Sequence, residues 1–183
     1  MSKNSLNRTL SAFACATATV IISVDFSLGS KLARADVLDL SCTGGYTATY
    51  NPGLTLEEKQ AIVKIDSTLS TCVPLLTDPT IKSGSYSNTL NVTASCDLTN
   101  STPYDIEYHW SNERHSIVHF ASTINQKPGG ETVLVSTGIV TDGEFKNDMA
   151  TRILALATFD TAECLTNGVP NATGDETLVL TGQ

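Results

Sequence analysis

The three histidines of the sequence lie close together, at His109, His115 and His119. Alternate residues of a β-strand point to one face, so His115 and His119 share a face if this segment is a strand. A turn at residues 111–113 would place His109 opposite His115, with Glu107 alongside. Imidazole and carboxylate groups bind zinc and related metals, which makes these residues candidate metal ligands. No tight ligand motif accompanies them, so the alternative is a set of surface histidines on a hairpin.

Tyr104, Tyr108 and Trp110 form a second candidate site, because they lie an even number of residues apart on the same segment. Aromatic rings stack on sugars and anchor many protein interfaces, so these three residues are a candidate ligand face. The alternative is that they belong to the core, since a single tryptophan in a β-rich domain is usually buried. The sequence leaves both interpretations open.

Motifs for catalysis and cofactor binding are absent from the sequence. It has no G-x-S-x-G elbow, phosphate-binding loop, dinucleotide fingerprint or EF-hand loop. Two carboxylate pairs, Asp105/Glu107 and Asp175/Glu176, could flank a glycosidic bond, and the acidic turn Asp142–Asp148 could hold Ca²⁺, but an acidic chain produces such groups by chance. We therefore predict a non-enzymatic protein without catalytic residues or cofactors. A secreted hydrolase or metal-dependent enzyme is the alternative.

The amino terminus has the features of a secretory signal peptide. Basic residues precede the apolar run Leu10–Val24, and a polar stretch ends in the small residues of Ala33–Ala35. The apolar run is shorter than the ~20 residues that a membrane-spanning helix needs. The sequence predicts a signal peptide over 1–35 and a single exported domain over 36–183, with no membrane span after cleavage. The protein would be secreted or associated with the cell envelope.

Four cysteines follow the predicted signal peptide, and an even number in an exported chain indicates two disulfides. Three connectivities are possible. Cys42 and Cys72 bracket a predicted hairpin whose loop, near residues 51–59, lies midway between them, so folding brings their sulfurs together. We therefore predict Cys42–Cys72, with Cys96–Cys164 as the second bridge.

Charge and length restrict the classes of partner. The 183-residue chain carries a net charge of −8, and the predicted signal peptide holds an excess of basic residues, so the exported domain is still more acidic. Nucleic-acid binding depends on Lys and Arg neutralising phosphates, and anionic membrane surfaces attract basic segments. Both kinds of partner are disfavoured, and the length suits one domain with its own core.

The chain is rich in β-branched residues in short runs separated by Gly, Pro, Asn and Asp, as is typical of strands and turns. Strands are predicted over 37–50, 61–72, 89–96, 106–110, 115–124, 132–141, 151–159 and 176–180. Turns are predicted at Asn51–Gly53, Pro128–Gly130, Asp142–Gly143 and Asn167–Gly168. Eight short strands favour an antiparallel β-sandwich, Ig-like or related, with a β-barrel as the second choice.

One segment gives conflicting signals. Thr55 and Glu58 have the spacing of a helical capping box, which would start a short helix within 56–64. The alternation of Val63 and Ile65 with polar residues favours a strand over the same region. We expect at most one or two helical turns before that strand.

Turn residues and cysteines of this chain are similar to those of a known group of proteins. The segments concerned are Ser41–Gly44, Tyr50–Thr55, Ser95–Cys96, Trp110–Asn112, Pro128–Val133, Gly143–Phe145 and Cys164–Thr166. They resemble the small exported β-rich proteins of high-GC Gram-positive bacteria, a group with no assigned activity. The resemblance implies a bacterial exported protein with two disulfides and provides no catalytic residues. The chain departs from the group in its larger number of acidic residues and in Glu57–Lys59.

The sequence therefore predicts a binding or envelope-associated module, in which a rigid β scaffold presents loops or an aromatic face to a partner. The expected partners are a cell-wall polymer, a glycan or an extracellular protein. A secreted protease inhibitor is an alternative, because a stiff loop loses little entropy on binding. Its inhibitory loop would be 51–59, fixed by Cys42–Cys72.

Overall fold

The structure of the chain is a computed structural model that describes residues 37–75, 79–97, 102–126, 132–156 and 161–182. The predicted signal peptide over 1–35 and the predicted turn at Pro128–Gly130 lie outside the described residues. Within the described part, nearly every residue belongs to a β-strand. The elements are β1 (Val37–Leu54), β2 (Lys59–Pro74), β3 (Gly84–Ala94), β4 (Tyr104–Trp110), β5 (His115–Gln126), β6 (Thr132–Gly143), β7 (Met149–Leu156), α1 (Thr161–Leu165) and β8 (Val169–Gly182).

The described strands form one closed antiparallel barrel. Each strand pairs with the next along the chain, and β8 pairs with β1 to close the sheet. The all-β prediction is confirmed, and the barrel that was the second choice replaces the sandwich that was the first. The physical reason lies in β1, which pairs along most of its length with both β2 and β8. No long sheet edge is left there, so the strands do not divide into two separate sheets.

The first strand is longer than its sequence suggests. The segment Asn51–Gly53 was predicted to be a turn, but it belongs to β1, which continues to Leu54 and pairs there with Val169 of β8. The chain reverses only after Leu54, between β1 and β2. The turn predicted at Asn167–Gly168 is confirmed, and Gly168 has positive φ. The turn predicted at Asp142–Gly143 lies slightly later, at residues 144–147, because Asp142 and Gly143 are the last residues of β6.

The helix predicted within 56–64 does not form. Residues from Lys59 onward belong to β2, where Ala61 and Val63 point into the barrel and the strand pairs with β3. The nonlocal ladder and the burial of alternate residues outweigh the local capping signal. The single helical turn of the described chain is α1, which the sequence did not predict.

Two glycines allow the strands to bend around the barrel. A Cβ atom on Gly44 would collide with the carbonyl oxygen of Thr68, and one on Gly138 would collide with that of His119. Both glycines lie beside shifts in strand register. Glycine at such bulges lets neighbouring backbones approach closely and increases local curvature, which closure requires.

The barrel interior has two ends with different packing. The packed end, where β2–β3, β4–β5 and β6–β7 are joined, is filled by large side chains such as Leu40, Phe120 and Leu178. The cavity end, where the other four connections lie, includes smaller residues such as Ala48 and Ala94. This difference in side-chain volume leaves unfilled space at the cavity end.

Both predicted disulfides are confirmed. Cys42 and Cys72 are directly opposite each other on β1 and β2 at the packed end. Cys96 and Cys164 connect the end of the β3 segment to α1 at the cavity end. The two bridges therefore fix opposite ends of the barrel, and they indicate an oxidising, extracytoplasmic environment.

Candidate functional site

The three histidines lie on the outside of the β4–β5 hairpin. His109 is the register partner of His115, as the sequence predicted. His119 Nδ1 lies 2.7 Å from Asp105 Oδ1, and the side chain of His109 is 63% exposed. Among the described residues, no group of three or more His, Cys, Asp or Glu side chains is placed to hold a metal ion. The arrangement matches the alternative interpretation, a surface hairpin.

The aromatic residues Tyr104, Tyr108 and Trp110 share one face of β4, and that face points into the barrel. Tyr108 and Trp110 are buried and stack with their ring centroids 5.6 Å apart. The indole Nε1 of Trp110 donates a hydrogen bond to Ser116 Oγ at 2.9 Å. These two residues are therefore part of the core, which was the alternative interpretation. Tyr104 is half-buried and reaches the interior cavity described next.

A cavity of about 140 Å³ occupies the cavity end of the barrel. Its wall is mainly apolar, with side chains such as Val63, Leu90, Val92 and Leu154. For comparison, an apolar cavity of about 150 Å³ in another protein is large enough to bind benzene. Eight-stranded barrels have interiors that side chains fill or that hold one small ligand. Side chains fill this barrel at the packed end, and the cavity end leaves space for one small ligand.

A buried ion pair lies next to the cavity, in the middle of the barrel. Arg152 Nε of β7 donates to Glu176 Oε1 of β8 at 2.9 Å, and the two side chains are 3% and 0% exposed. Tyr86 and Tyr108 also donate to this carboxylate, at 3.0 Å and 3.5 Å. A buried charge without such partners would cost several kcal/mol, so these hydroxyls are part of what makes the pair tolerable.

Arg152 extends this network to the cavity wall. Its Nη1 donates to the hydroxyl of Tyr104 at 3.2 Å, and its Nη2 donates to the hydroxyl of Tyr86. Burial alone would lower the pKa of Arg152, but its interactions with Tyr86 and Glu176 outweigh burial and hold that pKa well above its ordinary value. The guanidinium therefore stays charged at every physiological pH.

A chain of hydroxyl groups continues from Tyr104 along the wall. Tyr104 donates to Ser136 Oγ at 2.7 Å, and Ser136 Oγ lies 2.8 Å from Thr123 Oγ1. These side chains line the cavity on its polar side. Each hydroxyl in this chain already has a protein partner, so the chain leaves little unsatisfied hydrogen-bonding capacity.

Tyr46 of β1 differs from the other hydroxyl-bearing residues of the cavity. It is only 4% exposed and lines the cavity, yet its hydroxyl oxygen has no hydrogen-bond partner among the described residues. Burial and the neighbouring Tyr50 raise the pKa of Tyr46 far above its ordinary value, so the hydroxyl stays protonated. Leaving a hydroxyl buried and unpaired costs roughly 1–3 kcal/mol. The side chain of Tyr46 lines the cavity, while its hydroxyl oxygen is itself buried in the wall and is not exposed to the cavity.

The wall beside the cavity is weaker between β3 and β4 than the ladders on either side. The backbone ladder of these described strands consists of two residue pairs at the packed end. Further along, the side chain of Asn88 donates to the carbonyl oxygen of Asp105 at 2.7 Å. Leu90 and Tyr104 line the cavity along this seam. Local opening costs least where backbone bonds are few, so this seam is the part of the described wall that opens most readily.

The β1–β2 loop, which was the predicted inhibitory loop, lies at the cavity end. Its backbone is held by a hydrogen bond from Cys96 N to Thr55 O at 2.8 Å and by one from Leu56 N to Cys164 O at 3.3 Å. The Cys42–Cys72 bridge lies at the packed end, so it does not fix this loop. The Cys96–Cys164 bridge is the one that supports it.

The sequence missed the Arg152–Glu176 pair and Tyr46. A signal for Arg152 was present, because Arg152 alternates with the apolar residues Ala150, Leu154 and Leu156 on one face of its strand. A single charged residue on an otherwise apolar face indicates a buried, paired charge. Nothing local indicates Glu176 as the partner, since the two residues belong to different strands.

Fold and site together define a disulfide-bonded, closed eight-stranded barrel with a small, partly open cavity next to a buried ion pair. Comparison of the chain with models of known protein families, with curated proteins and with solved structures finds no match in any of the three. In the described part of the chain, no helix has the length and apolar character needed to cross a membrane.

Proposed function

We propose that this chain is an exported, non-enzymatic binding protein that holds a small, largely apolar molecule inside its barrel. The observation that carries the proposal is the apolar cavity of about 140 Å³ at one end of a barrel whose other end is filled by buried side chains. Ligand sites are typically concave, mostly apolar and equipped with a few well-placed polar groups. Polymers and glycan chains, which the sequence suggested as partners, fit such a cavity less well than a compact molecule.

The chemistry of the wall favours binding over catalysis. Among the described residues that line the cavity, Arg152 is the charged one, and the rest are apolar, tyrosine, serine or threonine. Glu176 is the nearest buried carboxylate, and it accepts hydrogen bonds from Arg152, Tyr86 and Tyr108. A general base must be free to take a proton from the substrate. Glu176 would have to break these bonds to do so.

The size of the cavity sets the affinity that we expect. A two-ring aromatic molecule that buries about 200 Å² of apolar surface gains roughly 5 kcal/mol at about 25 cal/mol/Å². The rigid barrel adds little ordering cost, although lost translational freedom reduces the gain. The gain alone corresponds to a dissociation constant of about 0.2 mM, so simple ligands of this size are expected to bind no more tightly than that.

A substitution that fills the cavity tests the proposal. Ala48 lines the cavity, and its neighbour Thr49 points outward on the same strand. We expect Ala48→Leu to weaken binding of naphthalene at least tenfold, because the added carbons occupy the space of the ligand. Thr49→Leu is the matched control and should bind as the unmodified protein does. Binding would be followed by naphthalene fluorescence, and the fold by circular dichroism.

Two results would contradict the proposal. One is that naphthalene and related two-ring compounds fail to bind the folded, oxidised protein at concentrations up to their solubility limit in water. The other is that Ala48→Leu binds them as tightly as Thr49→Leu does, which would place the ligand outside the cavity.

A further inference from the structure

We infer that ligands enter and leave the cavity through the seam between β3 and β4, and that the side chain of Asn88 holds this seam closed. The inference rests on the proposed function and adds to it the route of exchange and the residue that controls its rate. Three features support it: the break in the backbone ladder, the position of that break beside the cavity, and the closure of the cavity end by a cross-link.

The first feature is the break in the ladder. The backbone pairing of β3 with β4 ends at Ser85 and His109. The same register would pair residues 86–90 with residues 104–108, and both segments are β-strand, but the described ladder does not continue through them. The ladders of β2 with β3 and of β4 with β5 do continue over these segments. Opening the wall at the seam therefore breaks fewer backbone bonds than opening it on either side.

Side chains replace the backbone bonds along the seam. Close to the ladder, the rings of Tyr86 and Tyr108 meet edge to face with their centroids 5.1 Å apart, and both hydroxyls donate to Glu176. Nearer the cavity, Asn88 Nδ2 donates to the carbonyl oxygen of Asp105 at 2.7 Å. Buried rings and a carboxylate hold the first half of the seam, whereas a neutral hydrogen bond from a half-buried residue holds the second half. The second half is consequently the easier of the two to open.

The second feature is that this second half of the seam borders the cavity. Leu90 of β3 and Tyr104 of β4 lie just beyond the Asn88 bond, and both line the cavity. The hydroxyl of Tyr104 is held by Arg152 and Ser136. Leu90 is half-buried and has no polar side-chain group to anchor it. Once the Asn88 bond breaks, outward displacement of Leu90 with its part of β3 connects the cavity to solvent.

The third feature is the closure of the cavity end. The buried side chains of Leu54, Cys164 and Val169 lie there, and the Cys96–Cys164 bridge joins α1 to the end of the β3 segment. Backbone hydrogen bonds between the β1–β2 loop and both cysteines add to this link. Parts that are covalently joined stay together during local opening, so the described part of this end is a poorer route than the seam.

Loss of the Asn88 side chain tests the route. We expect Asn88→Ala to raise the association and dissociation rates of naphthalene about fivefold each, because both rates scale with the population of the open seam and one hydrogen bond no longer opposes opening. The dissociation constant should stay within about twofold, since Asn88 does not line the cavity and the bond is lost equally with and without ligand. Asn91→Ala is the matched control, because Asn91 is an exposed asparagine on the same strand, and it should keep both rates. Stopped-flow fluorescence measures the rates, and circular dichroism checks the fold.

A covalent link across the seam should have the opposite effect. Thr89 and Asp105 are exposed and would be opposite each other if the ladder register continued, so Thr89→Cys and Asp105→Cys can be joined with a short bis-maleimide. We expect this link to slow both rates by at least about tenfold, because the strands can no longer separate. The control joins Lys64→Cys to Thr89→Cys, at exposed register partners on the continuous β2–β3 ladder, and it should leave the rates unchanged.

The outcomes distinguish this inference from the proposed function. Unchanged rates in Asn88→Ala, or equal rates in the two cross-linked proteins, would show that ligands take another route. A change in the dissociation constant as large as the change in the rates would show that Asn88 acts on the bound state, which also overturns the inference. In each of these cases naphthalene still binds and the proposed function stands. If naphthalene does not bind the unmodified protein, the proposed function itself is overturned.

Discussion

Arg152 and Glu176 lie side by side inside the barrel, and the buried charge of either residue would destabilise the fold without the other. Their side chains are 3% and 0% exposed, and two tyrosine hydroxyls donate to the carboxylate. Removing one member of such a pair leaves an uncompensated buried charge, whereas replacing both with apolar residues of similar volume is often nearly neutral. The pair therefore constrains which substitutions the interior tolerates.

We predict a strongly non-additive effect on stability for this pair. Arg152→Met should lower the free energy of unfolding by about 3–5 kcal/mol, and adding Glu176→Leu should restore much of that loss. The pair formed by exposed Arg114 and half-buried Glu144 is the control, because Arg114→Met should cost about 1 kcal/mol or less. Urea unfolding of these three variants and of Glu176→Leu alone measures these differences. Additive losses for Arg152 and Glu176 would contradict the interpretation.

At the scale of elements, the cavity depends on parts of the chain that come together only at one end of the barrel. The β1–β2 loop, the end of the β3 segment and α1 are connected there by backbone hydrogen bonds and by Cys96–Cys164. The β3–β4 seam, which has a backbone ladder of two residue pairs, lies along the side of the cavity. Both ends have a disulfide, but the cavity end lacks the large buried side chains of the packed end and therefore depends more on its cross-link.

The two disulfides should consequently have different effects on binding. Replacing either pair by alanine removes a cross-link that constrains the unfolded chain, and the chain-entropy model gives a loss of about 3.5–4.5 kcal/mol for each. Loss of Cys96–Cys164 should also weaken naphthalene binding several-fold, because this bridge supports the cavity end. Loss of Cys42–Cys72 should leave binding by the folded fraction unchanged. Thermal unfolding and fluorescence titration of both double variants provide the test, and equal effects on binding would refute it.

The molecule as a whole is acidic, and its stability should depend on pH in a defined direction. Asp148 is buried next to Asp39 of β1, and burial, followed by the hydrogen bond and charge of Asp39, raises the pKa of Asp148 to about 6. A carboxyl group whose pKa is higher in the folded state stabilises the fold when protonated, and this contribution is lost as pH rises through the folded pKa. The net charge of −8 adds repulsion in the same direction.

We therefore predict that the unfolding temperature falls as pH rises from about 4 to about 7. Asp148→Asn should reduce this slope, because the amide stays neutral at every pH. Asp142→Asn is the control: the bond from Lys146 lowers the pKa of Asp142, so its own contribution is lost only as pH falls. Calorimetry across this range measures the slopes. An unchanged slope in Asp148→Asn would show that this carboxyl is not the group responsible.

Periodicity and spacing along the chain determined the local features of this protein. The approximate positions of most strands, the register of His109 with His115 and the Cys42–Cys72 bridge follow from alternation and from a hairpin with its loop midway between two cysteines, although β3 and β8 begin several residues earlier than predicted. These features depend on residues that are close in sequence, so period-two alternation and turn chemistry suffice to predict them.

Only the tertiary structure decided how the sheet closes, which faces point inward and where space remains. Pairing of β1 with β8 joins opposite ends of the domain, and local patterns contain no information about it. Alternation placed Tyr104, Tyr108 and Trp110 on one face, but closure of the barrel decided that this face is interior. The cavity beside Tyr46 and the pairing of Arg152 with Glu176 arise because side-chain volumes and charges from separate strands meet in one interior. Local sequence patterns do not predict this cavity or this ion pair, because both depend on residues that are far apart along the chain.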